Sequence, residues 1–142
     1  MLEGKKQPPS NAPSGPIAVF RTCDLFRQTL ADKILGEPRL VTKFEDFIKI
    51  KKQNPMQPYG NNDRAFVAAG VLKNAVPGET LIHAHLDRDN SVVYSLSGRN
   101  PTVIKLYGIF NHRELGTGTP GNIRKRQSMS VQFANQRFDS EL

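Results

Sequence analysis

Three strand-like segments joined by short links constrain the fold of this chain more than any other feature. They span residues 79–86, 91–97 and 102–110. The first link, Asp87-Arg88-Asp89-Asn90, has the composition of a tight hairpin turn, and residues 98–101 form a similar second link. Because links this short join neighbouring strands only in antiparallel pairs, the segments predict an antiparallel meander.

Helical periodicity is found on both sides of this meander. Residues 16–22 fit either a short strand or the start of a helix. Residues 23–34 and 38–54 each carry apolar side chains at helical spacing, and residues 123–138 do so with a thinner apolar face. The predicted fold class is therefore α+β, with two N-terminal helices packed on a small antiparallel sheet and a C-terminal helical extension.

The length of 142 residues fits one domain. Residues 1–16 are rich in proline and small polar residues and are expected to form a disordered tail or linker, leaving 17–142 as a single domain. Cys23 is the one cysteine, which excludes an intramolecular disulfide framework and a multi-cysteine zinc site; its place on the apolar helical face predicts a core position. The sequence shows neither a membrane span nor a signal peptide, so we expect a cytoplasmic protein without membrane contact.

The chain is basic, with a formal net charge of +7 from 20 basic and 13 acidic residues. Such a balance is typical of proteins that bind nucleic acid, although a solvated lysine surface produces it too. Lys49, Lys51 and Lys52 fit either interpretation, since cations in the last turn of a helix also complement its dipole. The densest basic cluster is Arg124–Arg126.

All three histidines lie in or just after the meander. Side chains alternate along a strand, so His83 and His85 share a face opposite the apolar Ile82 and Ala84, and we expect both imidazoles to be partly exposed. The meander is expected to bring His112 near His85. Three interpretations stay open, namely a metal site, a general acid–base site, and surface histidines without a role. The basic neighbours disfavour a metal cation and favour a polyanionic substrate.

Two stretches resemble the RelE/ParE superfamily of bacterial toxins, and within it the YafQ branch. Residues 84–94 contain an Ala-His pair, an aspartate four residues after the histidine, and a strand ending in tyrosine. Residues 104–116 are similar to the family's final strand, which runs into a histidine and a closing glycine. The resemblance implies a RelE-like, microbial-RNase-like fold and an endoribonuclease that cuts mRNA, typically at the ribosome. It also implies a protein antitoxin or immunity protein as partner, and no cofactor or metal.

The resemblance carries residue roles as well. His85, Asp89 and His112 match the family's catalytic positions, and Asn90 stands where the family has an aromatic residue. The expected substrate-binding residues are His83, Lys105, Arg113, Arg124, Lys125 and Arg126.

The main departure from the family is Gly108, which stands in place of an arginine that would stabilise phosphate charge. Lys105 is an odd number of positions away, so on a regular strand it faces the opposite side. A β-bulge near Gly108 would correct this.

The sequence thus predicts a toxin-type ribonuclease that cleaves RNA by metal-independent acid–base catalysis. Three alternatives stay open. They are a non-catalytic nucleic-acid-binding module of the same fold, a metal-dependent enzyme that uses the three histidines, and a toxin of the ParE type that acts on gyrase.

Overall fold

The structure, a computed structural model, describes residues 18–59, 64–65, 81–99, 101–117 and 121–142, with the backbone alone at 64–65. Our predictions for residues 1–17, 60–63 and 66–80 lie outside the described residues. The elements in chain order are β1 (Ala18–Thr22), α1 (Asp24–Thr29, continued by a π-helical stretch, Leu30–Ile34), α2 (Pro38–Gln53), β2 (Arg64–Ala65), β3 (Leu81–His85), β4 (Asn90–Ser97), β5 (Thr102–Asn111), α3 (His112–Leu115), α4 (Ile123–Ala134) and β6 (Ser140–Glu141).

The strands form one sheet in the order β2-β3-β4-β5-β1-β6. The pairs β3–β4 and β4–β5 are antiparallel and joined by short links, which confirms the meander. β1 runs parallel to β5, with Phe20 opposite Ile104, so the prediction of a purely antiparallel sheet is wrong. The chain between β1 and β5 contains α1, α2 and the first strands of the meander, which is long enough to return it to the end of the sheet where β1 begins. The fold class is mixed α+β, as predicted.

α1 covers the edge of β5 where β1 has ended. The Cys23 thiol lies 3.6 Å from the carbonyl oxygen of Leu106, and the Thr29 hydroxyl accepts a hydrogen bond of 2.9 Å from the Ile109 backbone N–H. These side chains satisfy backbone groups that a missing strand would leave unpaired. Cys23 is fully buried, which confirms its predicted core position.

Each face of the sheet has its own apolar core. The first lies under α1 and α2, where Phe26, Phe44 and Phe47 pack against strand residues such as Tyr94. The second lies under α4, where Phe133 contacts strand residues of β5 and Leu115 of α3 joins the same cluster. The C-terminal segment therefore forms a layer of the domain.

A register shift interrupts the β4–β5 ladder. Val93 pairs with Gly108 and Tyr94 pairs with Leu106, so Tyr107 is an extra residue on β5. This is a β-bulge directly beside Gly108. It places Lys105 and Gly108 on the same face, since their partners Ser95 and Val93 are two residues apart on β4.

The C-terminal segment differs in detail from the prediction. α4 ends at Ala134 instead of residue 138, and Phe138 packs on Tyr107 after the helix, with 4.8 Å between ring centroids. The short strand β6 then pairs with β1. Neither β6 nor the four-residue helix α3 was predicted. No helix in the described part of the chain is long and apolar enough to cross a lipid bilayer.

Candidate functional site

The three histidines form a row on the sheet face that α4 covers. The ring centroids of His83 and His85 lie 5.6 Å apart, and those of His85 and His112 lie 5.1 Å apart. His85 and His112 are half-buried at the rim. His83 is only 5% exposed, so the expectation that both strand histidines are partly exposed is wrong for His83. The alternation of side chains along β3 correctly placed His83 on the face opposite Ala84. That face is covered by the second apolar core and is not open to solvent.

A local turn motif fixes the position of His112. Asn111 caps α3, because its side chain accepts a hydrogen bond from the Glu114 N–H while Glu114 accepts one from the Asn111 N–H. Gly116 ends the helix in the left-handed conformation, with φ of 74°. A Cβ there would lie 2.4 Å from the carbonyl oxygen of Asn122. His112 is therefore the first residue of a turn that is capped at both ends.

Both ring nitrogens of His112 have hydrogen-bond partners. Nε2 lies 3.2 Å from the backbone carbonyl oxygen of Arg88, which belongs to the β3–β4 turn. Nδ1 lies 3.1 Å from the Thr117 hydroxyl oxygen. These bonds tie the hairpin turn to the end of β5. Sequence reasoning missed Thr117, although its place directly after the glycine that ends α3 is a readable signal.

Asp89 lies in the same hairpin turn. The carboxylate of Asp87 accepts hydrogen bonds from the N–H groups of Asp89 and Asn90, at 2.9 and 2.7 Å, and so shapes the turn. The side chains of Asp89 and Arg88 are both exposed. Within the described residues, the Asp89 carboxylate makes no hydrogen bond or ion pair with a histidine. The structure thus brings His85 and His112 into ring contact and places Asp89 nearby, at the solvent-facing tip of the hairpin.

Glu114 carries the negative charge closest to His112 in sequence, and it is paired with a cation. Lys33 of the π-helical stretch forms a salt bridge with its carboxylate. Partial burial raises the pKa of Glu114. Two hydrogen bonds, from Lys33 and from the Asn111 backbone, lower it, and so do the positive charges of Lys33 and Lys125. These effects outweigh burial and hold the pKa below its usual value. Glu114 is therefore ionised and fixes α3 against α1.

The basic cluster Arg124–Arg126 lies in the first turn of α4, directly against this turn. The Arg126 guanidinium donates a hydrogen bond of 2.6 Å to the Gly116 carbonyl oxygen. Arg124 and Lys125 are exposed, as is Arg113 beside His112. Four predicted substrate-binding cations therefore lie in or directly against the turn that begins with His112.

Two other lysines lie away from the row. Lys105 pairs with Ser95 of β4, and His85 pairs with Ser91 of the same strand. The positions of Lys105 and His85 are therefore four residues, or about 13 Å, apart along the strand direction. Its ammonium lies over the Phe138 ring, 5.3 Å from the centroid. Lys51 is 1% exposed, bonds the Gln57 carbonyl and lies over the Tyr94 ring, so it belongs to the core and not to a surface patch.

Gly108 has no space for the arginine that the family resemblance leads one to expect. A Cβ at this position would lie 2.6 Å from a ring carbon of Phe110 and 3.1 Å from the Thr29 hydroxyl. Any side chain there requires these buried neighbours to move. The structure therefore offers no replacement for that arginine at position 108.

The geometry gives little support to a metal centre. Among the described residues, no group of three or more histidine, cysteine, aspartate and glutamate side chains is placed to hold a metal ion.

An apolar groove of about 460 Å³ lies elsewhere, between α1 and α2, where Leu35, Phe44 and Ile48 line it together with Leu142. It contains none of the predicted site residues.

Comparison with known proteins adds no assignment, because no protein family, curated protein or solved structure matches the chain. The histidine row and its basic neighbours are therefore the basis for a functional proposal.

Proposed function

We propose that this protein is a toxin-type endoribonuclease of the RelE-like kind that cleaves RNA without a metal ion. The observation that carries the proposal is the pair His85 and His112, with 5.1 Å between ring centroids at a half-buried rim, beside exposed arginines. Two imidazoles at this separation suit a reaction that needs one group to take a proton and another to give one. The resemblance of residues 84–94 and 104–116 to the RelE-like toxins also supports the proposal.

The reaction is attack of a ribose 2′-hydroxyl on the adjacent phosphate. The 2′-oxygen forms a bond to phosphorus, the bond from phosphorus to the 5′-oxygen breaks, and the products end in a 2′,3′-cyclic phosphate and a 5′-hydroxyl. One proton leaves the 2′-hydroxyl and another reaches the leaving oxygen. His85 and His112 are the acid–base pair, and the exposed Asp89 carboxylate serves as a further base or orients the substrate.

Charge on the phosphate requires a cation in addition to the histidines. Gly108 cannot supply it, as shown above. Arg88 and Arg113 are the proposed source of this cation, since both are exposed, the Arg88 carbonyl contacts the His112 ring, and Arg113 follows His112 in the chain. The cluster Arg124–Arg126 extends the basic surface along the path of an RNA backbone. RNA, including mRNA on the ribosome, is the proposed substrate, and an antitoxin protein is the proposed partner.

A second candidate is a non-catalytic RNA-binding module of the same fold. The lack of space at Gly108 favours it, because the site then lacks the family's phosphate-stabilising arginine. Both candidates predict RNA binding, and only the first predicts shorter RNA.

The test is cleavage of end-labelled RNA in the presence of EDTA. Wild-type protein is expected to shorten the RNA, and His85→Ala and His112→Ala are each expected to reduce the rate by about a hundredfold or more, the usual size for removal of an acid or base. Arg39→Ala on the outer side of α2 is the matched control and should cut at the wild-type rate. Circular dichroism checks that each variant is folded.

Variants purified in the same way also control for contaminating ribonuclease, which would cut equally in all of them. If wild type and both histidine variants cut at one rate, the assignment is wrong. If wild type binds RNA and leaves it intact, the non-catalytic module is the correct function.

A further inference from the structure

The two partners of His112 differ in chemistry, and together they determine where its ring carries a proton. The Arg88 carbonyl oxygen, 3.2 Å from Nε2, only accepts hydrogen bonds, so Nε2 carries a hydrogen. The Thr117 hydroxyl, 3.1 Å from Nδ1, both donates and accepts. It therefore donates to Nδ1 in the neutral ring and accepts from Nδ1 in the protonated ring.

Thr117 is itself held in place by the turn that contains His112. The N–H groups of Gly116 and Thr117 both donate to the His112 carbonyl oxygen, at 2.8 and 3.1 Å. The Arg126 guanidinium bonds the Gly116 carbonyl from the other side. The hydroxyl is thus presented to the ring by a backbone loop that is fixed at several points.

We propose that Thr117 is a positioning residue for His112: its hydroxyl bonds Nδ1 in either protonation state of the ring and so keeps Nε2 directed at the β3–β4 turn. The inference rests on the proposed function for its catalytic consequence. Nε2–H is directed at the hairpin tip, where Arg88 and Asp89 are exposed, and a bound phosphodiester there replaces the carbonyl as its partner.

The consequence for the reaction is that His112 transfers the proton on Nε2. In the protonated ring the Nε2–H bond breaks as a bond forms between that hydrogen and the leaving 5′-oxygen. The ring is left neutral, and its remaining Nδ1–H donates to the Thr117 oxygen. The Thr117 hydroxyl keeps a bond to Nδ1 before and after the transfer, so the ring does not have to rotate.

The experiment compares Thr117→Val, which removes the hydroxyl at nearly constant shape, with Thr117→Ser, which keeps it. Thr42→Val is the matched control, because Thr42 is an exposed threonine of α2 whose hydroxyl bonds only a helix carbonyl. Long-range ¹H–¹⁵N correlation spectra of histidine-labelled protein report which ring nitrogen carries hydrogen, and His112→Gln identifies the signals of His112.

In wild type, Thr117→Ser and Thr42→Val, neutral His112 is expected in the Nε2–H form. Thr117→Val is expected to shift the Nδ1 signal of neutral His112, because that nitrogen loses the hydrogen bond it accepts from the hydroxyl. It is also expected to lower kcat about five- to tenfold with KM unchanged, the effect of losing one hydrogen bond. Thr117→Ser is expected to restore kcat.

An Nδ1–H form in wild type overturns the inference, and so does a Thr117→Val variant with wild-type nitrogen spectra. Absence of RNA cleavage by wild type overturns the proposed function instead, and the nitrogen spectra still decide the role of Thr117.

Discussion

Gly108 offers the sharpest test of the packing described here. The change is Gly108→Ala, which adds a Cβ 2.6 and 2.7 Å from two ring carbons of Phe110 and 3.1 Å from the Thr29 hydroxyl. Phe110 is 6% exposed and its ring packs on Phe133, so any movement of the ring disturbs the second core. Overpacking of a core costs about 1–3 kcal/mol. Weakening of the bond from Ile109 to Thr29 adds about 0.5–1.5 kcal/mol.

We therefore expect Gly108→Ala to lower the free energy of unfolding by about 1.5–4.5 kcal/mol, from the sum of these two effects. Urea denaturation followed by circular dichroism measures it. Gly36→Ala is the matched control, because no atom lies within 4 Å of a Cβ at that position. It should stay within about 0.5 kcal/mol of wild type or be slightly more stable.

A double-mutant cycle identifies the cause of the loss. Phe110→Leu removes the ring atoms that a Cβ at Gly108 would meet, so the double variant should be more stable than the two single changes predict, by at least about 1 kcal/mol. A Gly108→Ala variant as stable as wild type, or strict additivity with Phe110→Leu, would refute the reasoning.

Three further outcomes are expected. Replacing the cluster Arg124–Arg126 with glutamine should weaken RNA binding and flatten the dependence of log K on log salt, since fewer counterions are released; an unchanged slope would place the RNA elsewhere. At pH 7, Glu114→Ala should lower the free energy of unfolding by about 1 kcal/mol through the lost cap, while Glu114→Gln retains part of it. Because folding lowers the pKa of Glu114, its charge stabilises the fold above the ordinary carboxyl pKa, and this stabilisation should disappear as the pH falls through the lowered pKa. A loss of stability in Glu114→Gln that is the same at neutral and acidic pH would contradict the Lys33 salt bridge. Burial raises the pKa of the Cys23 thiol, so a thiol reagent such as DTNB should react with it only at the rate of unfolding, and rapid reaction in native buffer would contradict its core position.

Local patterns predicted the meander and the hairpin well. Alternation in β3 to β5 and the Asp87–Asn90 turn are short-range signals, and the structure follows them closely. The partner of β1 was not predictable in this way, because five residues of extended chain carry no information about which edge they join. The bulge at Tyr107 was predictable from Gly108, since glycine inside a strand often marks one.

The candidate site was predictable in part. The approach of His85 and His112 follows from the meander. The burial of His83 does not, because the thin apolar stripe of α4 gives little sign in the sequence of a second core on that face. α3 had a readable signal, since Asn111 and Glu114 are spaced as a capping box. The ring contacts of His112 depend on the Arg88 carbonyl, and a backbone carbonyl leaves no trace in residue identities.

The central claim is cleavage of RNA by the histidine pair through attack of a 2′-hydroxyl. The most direct measurement uses a labelled RNA oligonucleotide in EDTA, together with the same oligonucleotide carrying a single 2′-deoxyribose at the cut position, and mass spectrometry of the product ends. The account predicts a 2′,3′-cyclic phosphate and a 5′-hydroxyl from the first substrate, no cut at that position in the second, and formation of the same products about a hundredfold or more slowly by His85→Ala. Products with a 5′-phosphate, or equal cleavage of the deoxy-substituted substrate, would contradict it.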